Sequence, residues 1–273
     1  MKLKLILTTA IVGAALALPG ISSAWAQAPP NDTFEQATVI SSLPFSQILD
    51  TSEATTDSTD AEALASCGVP SITFAATVWY EYTPPVDQSL VISTSGSSYS
   101  AAGVAVLTGS PGSLFAVTCS LGFVTFSATA GQTYHILVAD IGGGSGGTLN
   151  LSVETTPEFE LSVDRFGQFD PKTGVATVTG TLTCPSGSTG TVFFGTLSQR
   201  TTTAETFPNP IDVPCSGVAQ QWSIAFTPLD GKFKGGPADV SVDAFVCFSL
   251  GCLIPHADQS LILRGRTKGR SPA

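Results

Sequence analysis

The sequence predicts an all-β protein built as two antiparallel β-sandwiches. Three observations predict it. Short β-branched and aromatic runs recur about every dozen residues, and Gly, Pro and Ser clusters separate them. Charged residues make up only 12% of the 273-residue chain, against a usual ~25%, which disfavours coiled coils, helical bundles and charge-rich disorder. One segment alone, Asp60 to Ser66, has a helical pattern, and it is two turns long.

Taken in order, residues 1–26 come first. Lys2 and Lys4 precede the apolar run Leu5 to Leu18, and Ala24-Trp25-Ala26 closes it. This is the pattern of a secretory signal peptide, with Ala24 and Ala26 supplying the small side chains at the cleavage site. The run is too short for the ~20 apolar residues that cross a bilayer. The expected product is exported, secreted or extracellular, with no membrane span after processing.

Beyond residue 26 the chain has nine basic and 21 acidic residues, a charge of −12. The imbalance is confined to one half. No Lys or Arg lies between Lys4 and Arg165, and residues 27–157 contain 11 acids; residues 158–273 contain ten acids and nine bases. That shift sets a boundary at Thr155-Thr156-Pro157-Glu158, giving an acidic sandwich over 27–157 and a second over 158–264. Residues 265–273 read as a basic tail. A net negative chain lacks the basic surface that displaces counterions from nucleic acid, so no nucleic-acid partner is expected.

Strands in the first half are expected at 77–82, 89–93, 103–107, 133–138 and 148–153. In the second half Phe159, Leu161 and Val163 alternate with polar residues. Val240, Val242, Ala244 and Val246 do the same, giving one dry and one wet face. Further strands are expected at 174–184, 190–200, 211–215, 221–227 and 259–265.

Six cysteines in an exported chain imply disulfides. Cys184 shares parity with Ala176, Val178 and Leu182, and Cys215 with Ile211 and Val213, both inward sets. Cys247 falls on the outward Asp243 face, five residues from Cys252. The pairing is therefore Cys184–Cys215 and Cys247–Cys252, leaving Cys67–Cys119. A zinc site is the competing use of these thiols, and it lacks neighbouring histidines.

Several motifs of the first half occur in register: Asn31-Asp32-Thr33-Phe34-Glu35, Leu43-Pro44-Phe45, Thr77-Val78-Trp79-Tyr80, Val117-Thr118-Cys119 and Ala130-Gly131-Gln132-Thr133-Tyr134. Over about residues 30–154 they resemble the bacterial pre-peptidase C-terminal (PPC) domain. The resemblance implies a jelly-roll-like sandwich attached to secreted proteins, without catalysis of its own. Two departures are visible: Ser120-Leu121-Gly122 stands where family members often carry Asn or Asp, and no peptidase is fused. The second half, with Gly180-Thr181-Leu182-Thr183-Cys184 and Phe233-Lys234-Gly235-Gly236, resembles secreted bacterial β-domains of unknown function, and an immunoglobulin-like sandwich is expected there.

Candidates for chemistry are few. His135 lies among Ile136, Leu137 and Val138 and reads as a strand residue with a satisfied ring. His256 lies in the loop Ile254 to Asp258, where a neighbouring Asp could orient it as a base, yet no Gly-x-Ser-x-Gly elbow accompanies it. Ile141 to Gly147 lacks the Lys-Ser/Thr ending of a phosphate cradle and reads as a hairpin loop. Asp50, Glu53, Asp57, Asp60 and Glu62 fall within thirteen residues, with Asp57, Asp60 and Glu62 the calcium candidates, although the spacing is not that of an EF-hand. Trp79, Tyr80 and Tyr82 could form a sugar-stacking platform, but Trp79 and Tyr80 point to opposite faces of their strand, so at least one is core. The function expected is a non-catalytic binding or accessory module without a cofactor. Its partner would be an extracellular polymer or protein surface. The rivals are a hydrolase using carboxylates or His256, and a calcium-stabilised adhesive protein.

Overall fold

A computed structural model describes residues 27–69, 74–99, 101–200, 202–206 and 210–265. The cleavage residues Ala24 and Ala26, and the basic tail beyond Gly265, lie outside the described residues. Among the described residues strands predominate, with one α-helix and one 3-10 turn at Phe34–Gln36.

The first nine strands are β1 (Thr38–Ile40), β2 (Phe45–Asp50), β3 (Phe74–Tyr82), β4 (Gln88–Ser93), β5 (Ala102–Thr108), β6 (Phe115–Leu121), β7 (Phe123–Ala128), β8 (Tyr134–Ile141) and β9 (Thr148–Thr155); α1 (Ser58–Ser66) lies between β2 and β3. They form two sheets, β1-β3-β8-β5-β6 and β2-β9-β4-β7. Tyr80, Val138 and Val106 of one sheet and Ile92, Leu149 and Leu151 of the other fill a shared core.

The inner strands β3, β5 and β8 are buried on both faces and lack the half-wet alternation of a two-layer sandwich. Their second face, with Trp79, Leu137 and Leu107, is covered by Ala63 and Leu64 of α1 and by Phe34. This third layer overturns the sugar-platform reading: Trp79 and Tyr80 are both fully buried, and Tyr82 is nearly so.

The remaining strands are β10 (Glu160–Val163), β11 (Phe166–Phe169), β12 (Ala176–Thr183), β13 (Thr189–Gln199), β14 (Thr202–Thr206), β15 (Ile211–Pro214), β16 (Gln220–Phe226), β17 (Gly236–Phe248), β18 (Gly251–Leu253) and β19 (His256–Gly265). They belong to one ten-stranded sheet, ordered β10-β12-β11-β19-β17-β13-β14 with β16 on β12, β15 on β13 and β18 on β17. Leu182, Val192, Trp222, Phe226, Val240, Val242 and Leu261 fill its core. The short β11 joins the two faces by pairing with β12 antiparallel and β19 parallel. Gly167 permits this, because a Cβ there would stand 2.8 Å from Leu263 Cδ2 and 3.1 Å from the Thr177 carbonyl.

Among the described residues no strand pairing joins the first set to the second. The three disulfides are Cys67–Cys119, Cys184–Cys215 and Cys247–Cys252. Parity accounts for the second-half pairs: Cys184 is buried with the core, while Cys247 sits half-buried on the outward row of β17. The hairpin that Cys247–Cys252 closes rests on the first half. Phe248 meets Phe123 edge-on at 6.3 Å, and the Ser93 hydroxyl donates to the Leu250 carbonyl at 3.0 Å.

Candidate functional site

The acidic segment before α1 is structural. Asp57 is the N-cap of α1: its side chain accepts from the Thr59 and Asp60 amides, and the Asp60 side chain accepts from the Asp57 amide in return. That reciprocal box satisfies amides a helix start otherwise leaves bare. Asp60 goes further. It is buried, and it accepts from Trp79 Nε1 at 2.7 Å and lies 2.7 Å from the Thr77 hydroxyl.

Thr77 has one hydroxyl hydrogen and also stands 2.6 Å from the Thr55 carbonyl. The hydroxyl hydrogen is thus within reach of both the Asp60 carboxylate and the Thr55 carbonyl. Burial pushes the Asp60 carboxyl up from its ordinary value, against the Thr77, Asp57 and Trp79 donors that favour the anion.

Glu62 points elsewhere, accepting from the Gly112 and Leu114 amides at 2.8 Å each. Asp57, Asp60 and Glu62 therefore do not form one calcium cage, because each carboxylate is committed to a different set of donors. Among the described residues no group of three or more His, Cys, Asp or Glu side chains is placed to hold a metal ion.

His135 is largely buried in β8 against Phe34, with ring centroids 4.5 Å apart. Its Nδ1 has no hydrogen-bond partner and lies 3.8 Å from Glu81, so the ring is less satisfied than its strand position implies. Burial pulls its pKa down, with the Glu81 charge opposing.

His256 is not in a loop; it is the first residue of β19. The register of β19 and β13 on β17 builds a polar outer face in cross-strand rows. Ser198, Asp239 and Ser260 form one row, and Thr196, Ser241 and Asp258 the next. The third row is Phe194, Asp243 and His256. Side chains two apart on one strand share a face, so β17 alone contributes Asp239, Ser241, Asp243 and the half-exposed Phe245. A bulge between Val192 and Phe194 sets Phe193 on Phe245, with centroids 4.6 Å apart. Along the first two rows runs an open groove of about 410 Å³ lined by Thr196, Ser198, Asp239, Ser241, Asp258 and Ser260.

His256 occupies one end of this face with both ring nitrogens taken. Nδ1 is 2.6 Å from Asp243 Oδ1, and Nε2 is 3.1 Å from Asp258 Oδ2. The hydrogen bond to Asp243, then that to Asp258, raises the imidazole pKa, and the His256 and Ser241 contacts lower that of Asp258. In its protonated form the ring donates to both carboxylates. The Asp243–His256 pair has the base half of a nucleophilic triad, yet Asp258 fills the place a serine or cysteine hydrogen would take. Cysteine nucleophiles are absent as well, since all six cysteines are in disulfides.

The protonated ring should be visible in solution. The His256 imidazole is expected to titrate by NMR above the 6.5 of a free histidine, and Asp243→Asn should bring the midpoint back toward that value. Because the folded pKa is raised, the small surface contribution is fully present below pH 6.5 and lost as pH rises through the folded value.

A second concavity, about 790 Å³, lies where the two halves meet, between Asp87, Gln88 and Ser89 on one side and Thr155 to Glu160 with Thr183 on the other. Its carboxylates Asp87, Glu158 and Glu160 are solvent-exposed, unlike the buried acid of a glycosidase.

No protein-family model matches the chain, and no curated protein matches it in sequence. Solved structures with partial likeness include a Parabacteroides merdae β-glucuronidase with glycerol in its active site, at 11% identity and a TM-score of 0.30, over 69% of this chain and 28% of that one. A GH2 β-galacturonidase from Eisenbergiella tayi bound to galacturonate is 12% identical with a TM-score of 0.22, over 67% and 35%. A DUF4785 family protein from Legionella pneumophila is 9% identical with a TM-score of 0.25, over 81% and 61%. The chain thus spans about a third or less of the two glycosidases. At these scores the likeness carries no inference about activity.

Proposed function

We propose that this protein is an exported, non-catalytic binding module that holds a neutral, polyhydroxylated polymer on the outer face of β13, β17 and β19. The observation that carries the reading is the pair of cross-strand rows, Ser198-Asp239-Ser260 and Thr196-Ser241-Asp258, lining one open groove. Hydroxyls and carboxylates in rows offer the alternating donors and acceptors that sugar hydroxyls need, and the Phe193–Phe245 pair at the end of the face offers a ring to stack on. Asp239, Asp243 and Asp258 make the same face repel anionic polymers.

The export reading is supported by the N-terminal pattern and by three disulfides, which persist in oxidising compartments. Among the described residues no helix is long and apolar enough to cross a membrane. The first half, on its resemblance to PPC domains, would serve as the accessory unit.

Affinity electrophoresis in gels containing neutral or anionic polysaccharides tests the proposal. Retardation by a neutral polymer is expected, and Asp239→Ala with Asp258→Ala should weaken it about 10-fold or more, the loss of two or three charge-assisted hydrogen bonds. Equal retardation of the double variant would place binding elsewhere.

A further inference from the structure

We propose that Asp140 and the glycine-rich loop Gly142 to Gly147 form a calcium-binding site. The carboxylate of Asp140, at the end of β8, is 98% buried, given its relative exposure of 2%. Its Oδ2 accepts one backbone hydrogen bond, from the Gly146 amide at 3.2 Å, and its Oδ1 is buried without any hydrogen-bond partner. A buried carboxylate with one long hydrogen bond needs a counter-charge. The sequence provides none nearby: Lys and Arg are absent from residue 5 to residue 164, and the one histidine of that stretch, His135, faces Phe34 and Glu81. No side-chain cation of this half can balance it, whereas a metal cation from solution would.

Oxygen atoms of Thr51 stand beside Gly146, the residue whose amide Asp140 accepts from. The Thr51 hydroxyl lies 2.5 Å from the Tyr99 hydroxyl and donates to the Gly147 carbonyl at 2.9 Å. The loop is moulded on these groups. A Cβ on Gly144 would fall 1.9 Å from Asp140 Oδ2, and one on Gly146 would fall 2.5 Å from the Thr51 carbonyl oxygen and 2.9 Å from its hydroxyl. Only glycine lets the backbone approach so closely, and Gly146 also has a φ of +72°.

One carboxylate with hydroxyl and carbonyl oxygens, and no sulfur or imidazole, suits a hard cation. Calcium accepts six to eight such oxygens in irregular geometry, whereas magnesium requires a near-ideal octahedron and holds its water. This site is separate from the Asp57-Asp60-Glu62 segment, and its ligand set is too poor in carboxylates to be read from acidic spacing.

The test uses the full chain and terbium, a calcium mimic whose emission is sensitised by a nearby tyrosine ring. Excitation of the tyrosine band should give terbium emission that calcium displaces. Asp140→Asn should abolish it, Tyr99→Phe should reduce it several-fold, and Asp57→Asn should leave it intact. Calcium at about 100 times its dissociation constant should raise the first melting transition by roughly 5–10 °C, reversed by chelator. Should Asp140→Asn fail to fold, Tyr99→Phe and Thr51→Val, which leave the carboxylate in place, decide the matter. Emission unchanged in all of them would overturn the site. So would a melting temperature that ignores calcium.

Discussion

Replacing Asp60 with alanine is expected to lower the unfolding free energy of the first half by roughly 3–5 kcal/mol. The carboxylate accepts from Trp79 Nε1 and the Asp57 amide and contacts the Thr77 hydroxyl, all in the layer between α1 and the inner sheet. Alanine leaves at least two buried donors without an acceptor, at about 1–3 kcal/mol each, and removes half of the capping box. Asparagine keeps the shape and one oxygen for Trp79 but turns its NH2 toward the Asp57 amide, so Asp60→Asn should recover only part of the stability. Urea unfolding followed by tryptophan fluorescence measures both. Equal stability of Asp60→Ala and the parent would mean that the α1 layer does not depend on this contact.

Loss of the Cys67–Cys119 disulfide is expected to cost about 4 kcal/mol, from the entropy of a loop with 52 residues of separation. The bond ties the end of α1 to β6, an edge strand whose Phe115, Val117 and Leu121 face solvent. Little apolar burial holds that strand, so the covalent link dominates there. The Cys247–Cys252 bond, separated by 5 residues, should contribute only about 2 kcal/mol. Paired Cys→Ser variants melted side by side would show this order. The reverse order would mean that the short hairpin, through its contact with Phe123 and Ser93, is the larger constraint.

Where burial is one-sided, the sequence was readable. Ala176 to Thr183 and Val240 to Val246 alternate cleanly, and β12 and β17 follow that alternation. Where a sheet is buried on both faces, alternation vanishes: opposite parity places one of Trp79 and Tyr80 in the core, and the helix layer buries the other as well. The strand β6, at the edge of its sheet, lacks a dry row, so its periodicity is weak, whereas β7 alternates with Val124, Phe126 and Ala128 inward. The β11 strand is four residues long and contains a glycine, which propensity counts against it.

The candidate site was harder to read. Asp57-Ser58-Thr59-Asp60 has capping-box spacing, and that signal could have separated the helix start from a calcium loop. His256 was read with Asp258 beside it, and parity supports that, but its stronger partner Asp243 comes from the neighbouring strand through register alone. Asp140 gave no signal at all. A lone acid in an apolar strand becomes notable only when the fold closes over it.

The central claim is that the face of β13, β17 and β19 binds a neutral polymer without cleaving it. The direct measurement incubates the full chain with one panel of polysaccharides and reads both retained protein and released reducing ends, for the parent, His256→Ala and Asp239→Ala/Asp258→Ala. The account predicts retention by a neutral polymer, lost in the double aspartate variant, with no reducing ends from any form. A general base contributes about 10²–10⁴-fold, so its removal from an enzyme is easily seen. Reducing ends released by the parent and lost in His256→Ala would contradict the claim.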